Sequence, residues 1–257
     1  VADILITGAG SGLGRGAALG LARAGHHVVA GAEIWPQVRE LRAEAERAGV
    51  RLDAIKLDVT DPADRAYARR HRVDVLVLNA GVQEAGAVVE IPMDRVHRSF
   101  EVNVFGHLHL VQDLVPPMLE RGAGKVVWVS SAVGIRTRPW VGVYAATKHA
   151  IEALAWAMKG ELEPRGVRVA VINPGPYRTG YNDTGVEAMF QWWDSSTALL
   201  DRPDFDDYLE HQGDPREMVE EMVRVLPADR HPYRTAYPEA IRGQLREFES
   251  QVWDATT

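Results

Sequence analysis

The chain has no cysteine. Disulfides, thiolate nucleophiles and cysteine-ligated zinc are therefore excluded. It also lacks any excess of positive charge: 29 lysines and arginines stand against 36 aspartates and glutamates, a formal net charge of −7. A nucleic-acid footprint needs a basic face, so no nucleic-acid partner is expected. No apolar run approaches the ~20 residues that span a bilayer. The opening VADILITGAG carries no basic, apolar, small-residue signal pattern, and the expected location is cytoplasmic. Internal repeats and low-complexity tracts are absent too. What is present is 46% hydrophobic and 25% charged residues in a chain of 257. That profile suits one large globular domain over 1–257 rather than two small ones.

Short apolar runs alternate with stretches of helical period. DILITG (3–8), HHVVAGA (26–32), RLDAIKLDV (51–59), DVLVLNAG (74–81), GKVVWVSS (124–131) and VRVAVINPG (167–175) read as strands. Segments 14–25, 36–49, 93–122 and 143–166 read as helices, with Pro116–Pro117 expected to bend the third. Segment 59–73 leaves room for only a short helix. The near-continuous apolar runs suit strands buried on both faces of a parallel sheet. The fold class is α/β: a doubly wound parallel sheet with helices on both faces. From 176 to 213 the alternation fails, and Tyr177, Tyr181, Phe190, Trp192, Trp193, Phe205 and Tyr208 crowd in. This region reads as an insertion that covers the substrate side of the sheet. Helical period returns at 214–226, with Asp214 as N-cap and Pro215 at the first helical position.

The first strand runs through TGAGSGLG (7–14) into the first helix. Glycines at a strand-to-helix turn allow close approach of the backbone to a pyrophosphate, and the helix N-terminus favours its charge. The spacing here is Gly8-x-x-x-Gly12-x-Gly14 after Thr7, which departs from the common G-x-G-x-x-G fingerprint. Further on, YAATKHA (144–150) places Tyr144 and Lys148 four apart. That spacing puts them on one helix face. A tyrosine titrates near ~10, too high for a base at neutral pH, and a neighbouring ammonium favours its phenolate. The pair alone decides nothing; its address in the chain does, thirteen residues after Ser131 in VSSAVG.

Thr7–Gly14, Asn79–Ala80–Gly81, Asn103 in VNVFG, Ser131, Tyr144–Lys148 and NPGPYRT (173–179) stand together in this order. The chain resembles the short-chain dehydrogenase/reductase family, in its shorter, single-domain branch with a Rossmann-like fold. The resemblance implies a set of roles. Tyr144 is the general acid/base, and Ser131 hydrogen-bonds the substrate oxygen. Lys148 holds the nicotinamide ribose and lowers the tyrosine pKa. Asn103 kinks its helix and holds a water that links Lys148 to solvent. The cofactor contacts it implies are Gly8, Ser11, Gly12, Leu13, Gly14, Asp58, Val59, Asn79, Ala80, Gly81, Pro174, Gly175 and Thr179, with Tyr144 and Lys148.

The cofactor is expected to be NAD, with NADP possible. An acidic residue after the second strand bonds the adenosine ribose hydroxyls and repels a 2′-phosphate. Relatives that prefer NAD usually carry aspartate at the position of Ala32, and those that prefer NADP often carry arginine at that of Glu33. Glu33 has the wrong sign for NADP, and Ser11 lacks a basic side chain. The substrate is expected to be a small secondary alcohol or ketone, apolar or cyclic in view of the aromatics at 176–213. Many relatives finish with a VDGG strand that supports a compact tetramer. RHPYRTAYPEAIRGQLREFES (230–250) shows no such strand, and a homodimer through 100–120 and 144–163 is expected over a homotetramer. Arg136 and Arg138 read as loop charges that can meet an anionic substrate group. His26, His27, His107 and His109 suggest no metal site. Two other readings compete: a catalytically silent NAD(P)-binding sensor, and a lyase resembling halohydrin dehalogenases. The second uses a Ser–Tyr–Arg set without the glycine loop, so Lys148 and Thr7–Gly14 speak against it.

Overall fold

A computed structural model describes residues 1–253 and, within them, every side chain but those of Asp207, Glu249 and Trp253. Seven strands form one sheet: β1 (Asp3–Ile6), β2 (His27–Ala32), β3 (Asp53–Lys56), β4 (Val75–Leu78), β5 (Gly124–Val129), β6 (Val167–Pro174) and β7 (Arg234–Tyr237). Their order is β3-β2-β1-β4-β5-β6-β7, and every pair is parallel. Successive side chains on a strand face opposite ways, so the sheet has two cores. Ile4, Ile6, Val28, Ala30, Val75 and Val77 point to one face. There they meet α1 (Gly12–Arg23), α2 (Trp35–Arg47) and α9 (Pro215–Val225) through Ala17, Leu21, Leu41 and Met222. Leu5, Leu76, Leu78, Val126 and Trp128 point to the other. Their partners are α5 (Gly106–Arg121) and α6 (Gly142–Leu162), through Leu110, Met118 and Ile151. Each fully buried leucine or isoleucine stabilises the fold by about 1.5–3 kcal/mol.

Chain order reverses direction across the sheet at β1. From β1 the chain winds outward through β2 and β3, then returns to β4 on the other side. The carboxyl ends of β1 and β4 therefore flank a crevice at the switch point, where ligands bind in open α/β sheets. This puts the glycine turn after β1 beside Asn79–Gly81 after β4.

The crossover after β3 carries only α3 (Pro62–Ala68), started by Asp61, whose carboxylate accepts from Ala63 N–H. Segment 93–122 breaks where the prolines do not. It runs as α4 (Met93–Phe100), a π-helical turn at Glu101–Phe105, and α5, with Pro116 and Pro117 inside α5. The π turn centres on Asn103, whose side chain is tied sideways to Val82. A second correction concerns the C-terminal stretch. It does form a strand: β7 pairs with β6 from Val171↔Arg234 to Pro174↔Tyr237. Four residues between two prolines are too few to show alternation, and the strand gains its stability from pairing with β6 and from burying Thr235 and Ala236. It is followed by α10 (Ile241–Trp253).

Between β6 and α9 lie α7 (Tyr181–Met189) and α8 (Asp206–Glu210). They carry a small core of their own, in which Val186, Met189 and Phe205 pack with Ala85, Trp140, Trp192 and Trp193. Ala85 N–H donates to Gly185 O at 3.1 Å, which fastens this cover to the loop after β4. Asp214 caps α9 through Arg216 N–H at 2.9 Å, and Pro215 is its first residue. Among the described residues no helix is long and apolar enough to cross a membrane.

Candidate active site

The turn after β1 needs its glycines. Gly8 and Gly12 have φ of +65° and +53°, the left-handed region that favours glycine. A Cβ on Gly8 would lie 2.7 Å from Ala80 Cα, and one on Gly14 would lie 2.4 Å from Asn79 Nδ2. The two loops are stitched together at this contact. Thr7 Oγ1 accepts from the N–H groups of Asn79 and Ala80, both at 2.9 Å, and Asn79 Nδ2 donates to Thr7 O at 2.9 Å. Ser11 starts α1 without a capping hydrogen bond from its side chain. The first-turn amides are thus left to whatever occupies the crevice, and they favour an anion.

A cavity of about 500 Å³ runs from this turn into the sheet's carboxyl edge. Gly8, Ser11, Gly12, Leu13, Glu33, Asp58 and Val59 line one end, with Asn79, Ala80 and Gly81 at its middle. Ser131, Tyr144, Lys148, Pro174, Gly175 and Thr179 line the other. Two residues singled out from the sequence do not line it. Gly14 packs beneath the turn, and Asn103 is fully buried behind Val82. Asn103 Oδ1 accepts from Val82 N–H at 2.8 Å, while its Nδ2 donates to Val82 O at 2.9 Å and Thr147 Oγ1 at 3.0 Å. Asp58 is partly engaged by its own turn, accepting from Thr60 N–H at 2.9 Å and Thr60 Oγ1 at 2.7 Å. Glu33 stands exposed at the end of β2.

Ser131, Tyr144 and Lys148 converge where this cavity meets a second one of about 350 Å³. Ser131 follows β5 and opens a short 3₁₀ turn, its Oγ accepting from Val133 N–H at 3.3 Å. Tyr144 lies in the first turn of α6, and Lys148 one turn on, 7% and 3% exposed. Lys148 Nζ donates to Val129 O at 2.9 Å and lies 5.6 Å from the Tyr144 ring centroid. Burial draws the Lys148 amine down to about 8, opposed by the Glu152 carboxylate. Burial pushes the Tyr144 phenol up to about 12, and the groups that pull it back are Tyr181 and Ser131, through hydrogen bonds.

Tyr181 is a residue the sequence reading missed as part of this centre. It opens α7, its ring centroid is 6.0 Å from that of Tyr144, and its hydroxyl pulls the Tyr144 pKa down. The only sequence signal is its position two residues after Thr179. Glu84 was missed as well: it lines the same cavity, 1% exposed, with Arg98 at 2.9 Å and Arg95 at 3.5 Å. So was His107, which is fully buried beneath the cradle. Its Nδ1 bonds Asn103 O at 3.2 Å and its Nε2 contacts Thr7 Oγ1 at 3.3 Å. A carbonyl can only accept, so Nδ1 carries the proton and Thr7 donates to Nε2. Burial and the nearby Lys148 pull its pKa down to about 3, which keeps this strut neutral. Among the described residues no cluster could hold a metal ion.

The profile of the short chain dehydrogenase family matches residues 2–189. The chain belongs to that family. An uncharacterized oxidoreductase of Bacillus subtilis, YusZ, is 31% identical over 252 residues, covering 91% of this chain and 87% of its own. A short-chain dehydrogenase from Sphingobium yanoikuyae, solved with NADPH, is 25% identical with a TM-score of 0.77, and covers 100% of this chain and 96% of its own. A putative NAD(P)-dependent gluconate 5-dehydrogenase from Beutenbergia cavernae, solved with NADP, is 29% identical with the same TM-score of 0.77 over 91% and 94%. The cavity of this short-chain dehydrogenase fits a dinucleotide on its own terms. A Cβ on Gly8 or Gly14 would collide with the Asn79–Ala80 loop, an uncapped helix start faces the cavity, and it reaches as far as Tyr144 and Lys148.

Proposed function

We propose that this chain transfers a hydride between NAD and a secondary alcohol or ketone. The observation that carries the reading is the position of Tyr144 and Ser131, which line both the nucleotide cavity and the second cavity. A nicotinamide cofactor supplies the hydride acceptor or donor when bound. The chain's own residues bind, orient and move the proton. Gly8, Ser11, Gly12 and Leu13 hold the pyrophosphate on the α1 amides, with Gly14 letting the turn close on Asn79. Glu33 meets the adenosine ribose, Asp58 and Val59 the adenine, and Asn79, Ala80 and Gly81 form the floor. Lys148 reaches the nicotinamide ribose, while Pro174, Gly175 and Thr179 face the nicotinamide. Ser131 donates to the substrate oxygen. Tyr144 Oη gives that oxygen its proton in reduction and takes it in oxidation. Asn103 supports the site from behind by fixing Val82.

A phenol held up at about 12 is protonated at neutral pH. That suits the acid role in ketone reduction. For oxidation the phenolate needs added positive charge beside it, which the ammonium of Lys148 and an oxidised nicotinamide supply. Glu33 supports NAD over NADP, because its carboxylate repels a 2′-phosphate. Phe105 at the end of the π turn and Trp156 in α6, 47% and 64% exposed, support a homodimer through 100–120 and 144–163.

Initial rates with a panel of secondary alcohols, followed by absorbance of the reduced nicotinamide, test the reading with each cofactor in turn. Turnover with NAD exceeding that with NADP is the expected result. A clear preference for NADP refutes the role of Glu33, and no hydride transfer from any alcohol or to any ketone refutes the reaction.

A further inference from the structure

The second cavity, about 350 Å³, opens directly on Ser131 and Tyr144. A substrate whose reacting oxygen sits between those hydroxyls must project its remaining atoms into that space. Val133, Val141, Ile241 and Leu245 supply apolar wall, and Gln83, Asn182 and Gln244 supply neutral polar groups. Arg136 and Arg138 also line it, and no aspartate or glutamate does among the described residues. The contrast with the first cavity is sharp, since Glu33, Asp58 and Glu84 all line that one.

In a chain with seven more negative than positive charges, a wall whose described residues include two arginines and no acid calls for a reason. Eleven of the 25 arginines, Arg15, Arg95 and Arg98 among them, lie within ion-pair distance of a carboxylate among the described residues. Neither Arg136 nor Arg138 has one within 4.0 Å among the described residues. Arg138 is braced instead by an aromatic ring, its Cζ 3.7 Å from the Tyr208 centroid. Stacking holds a guanidinium in place while leaving its N–H edge to donate. Both arginines sit on the segment joining Ser131 to Tyr144, so their distance from the reacting oxygen is set by the same backbone.

We propose that the substrate bears a carboxylate, held by Arg136 and Arg138 across the second cavity from Tyr144. This rests on the hydride-transfer reading and narrows it. The substrate is then a keto or hydroxy acid, with an aliphatic body against Val133, Val141, Ile241 and Leu245. A planar carboxylate accepts two parallel N–H bonds from a guanidinium, which fixes the carbonyl carbon as well as adding affinity.

Matched triplets test it: medium-chain keto acids, their methyl esters and their primary amides, assayed with wild type and with R136Q/R138Q. Wild type is expected to favour the acid over its ester by about tenfold or more in kcat/KM, through KM. The double substitution is expected to bring that ratio close to one. An ester or a phosphate monoester preferred by wild type overturns the proposal, as does a ratio that the substitutions leave unchanged. A non-turnover arm separates this from failure of the reaction itself. Dissociation constants for the carbonyl-free acids and esters, read by calorimetry on the cofactor-saturated protein, should show the same preference and the same loss. Acid and ester binding alike there contradicts the proposal whether or not any ketone is reduced.

Discussion

Tyr144 is approached by two hydroxyls, Ser131 from the end of β5 and Tyr181 from the start of α7. Both hydrogen bonds favour the phenolate against a burial that favours the phenol. The sign of a change at Tyr181 follows. Removing its hydroxyl removes that pull, so the Tyr144 pKa rises further. Alcohol oxidation, which needs the base form, should then gain rate only at higher pH. For Tyr181→Phe, the rising limb of kcat/KM against pH is expected to move upward relative to wild type; a limb that stays in place shows that Tyr181 does not tune Tyr144. At this scale the sequence was legible where chemistry is written as local spacing. Tyr144, Lys148 and Ser131 stand in a short stretch, and the structure brings all three to one cavity end. Tyr181 and His107 were illegible because their partners are distant in the chain. His107 meets Thr7, one hundred residues away, and nothing in its own neighbourhood announces that.

Elements show the same division between local and distant causes. The helix start at Asp214 was readable, since an aspartate before proline caps a helix by itself. The π turn at Glu101–Phe105 was not readable from local pattern, and only the family resemblance implied a kink at Asn103; its cause is the pairing of Asn103 with Val82. The end of α9 is another such case. Lys125, in β5 and 2% exposed, donates to Val225 O at 2.8 Å and to Leu226 O and Ala228 O at 3.1 Å. Its ammonium satisfies carbonyls that the helix leaves over. Lys125→Met strands Leu226 O and Ala228 O, while Val225 O keeps the Ala228 N–H, at a cost of about 1–3 kcal/mol for each left unsatisfied. A lower urea midpoint is the expected outcome. The pH dependence adds a signature. Burial draws the folded amine down to about 8, against ~10.4 in an unfolded chain. Between those values the unfolded chain holds the proton that the folded chain has released, so stability rises with pH across that window. Lys148 acts with the same sign. Wild type should therefore gain stability from about pH 8 upward, and Lys125→Met should gain less. An equal gain in both proteins means that Lys125 does not titrate in the fold.

For the whole molecule, alternation of strand and helix was enough to give a doubly wound parallel sheet, because each run is apolar on both faces. Strand β7 escaped, being an edge strand whose order comes from β6. What the sheet achieves is a division of labour. Its switch point shapes a nucleotide cavity from the loops after β1 and β4, while the cover formed by α7 and α8 shapes a second cavity. Tyr144 stands at their junction. Binding of cofactor and transfer of the proton should accordingly be separable by one substitution, Tyr144→Phe, which keeps the ring and removes the hydroxyl. The decisive measurement pairs kcat/KM for a ketone with the dissociation constant for the cofactor in that variant. A loss of about 10²–10⁴ in kcat/KM is predicted, with cofactor affinity within about threefold of wild type. Turnover retained at the wild-type level would contradict the account.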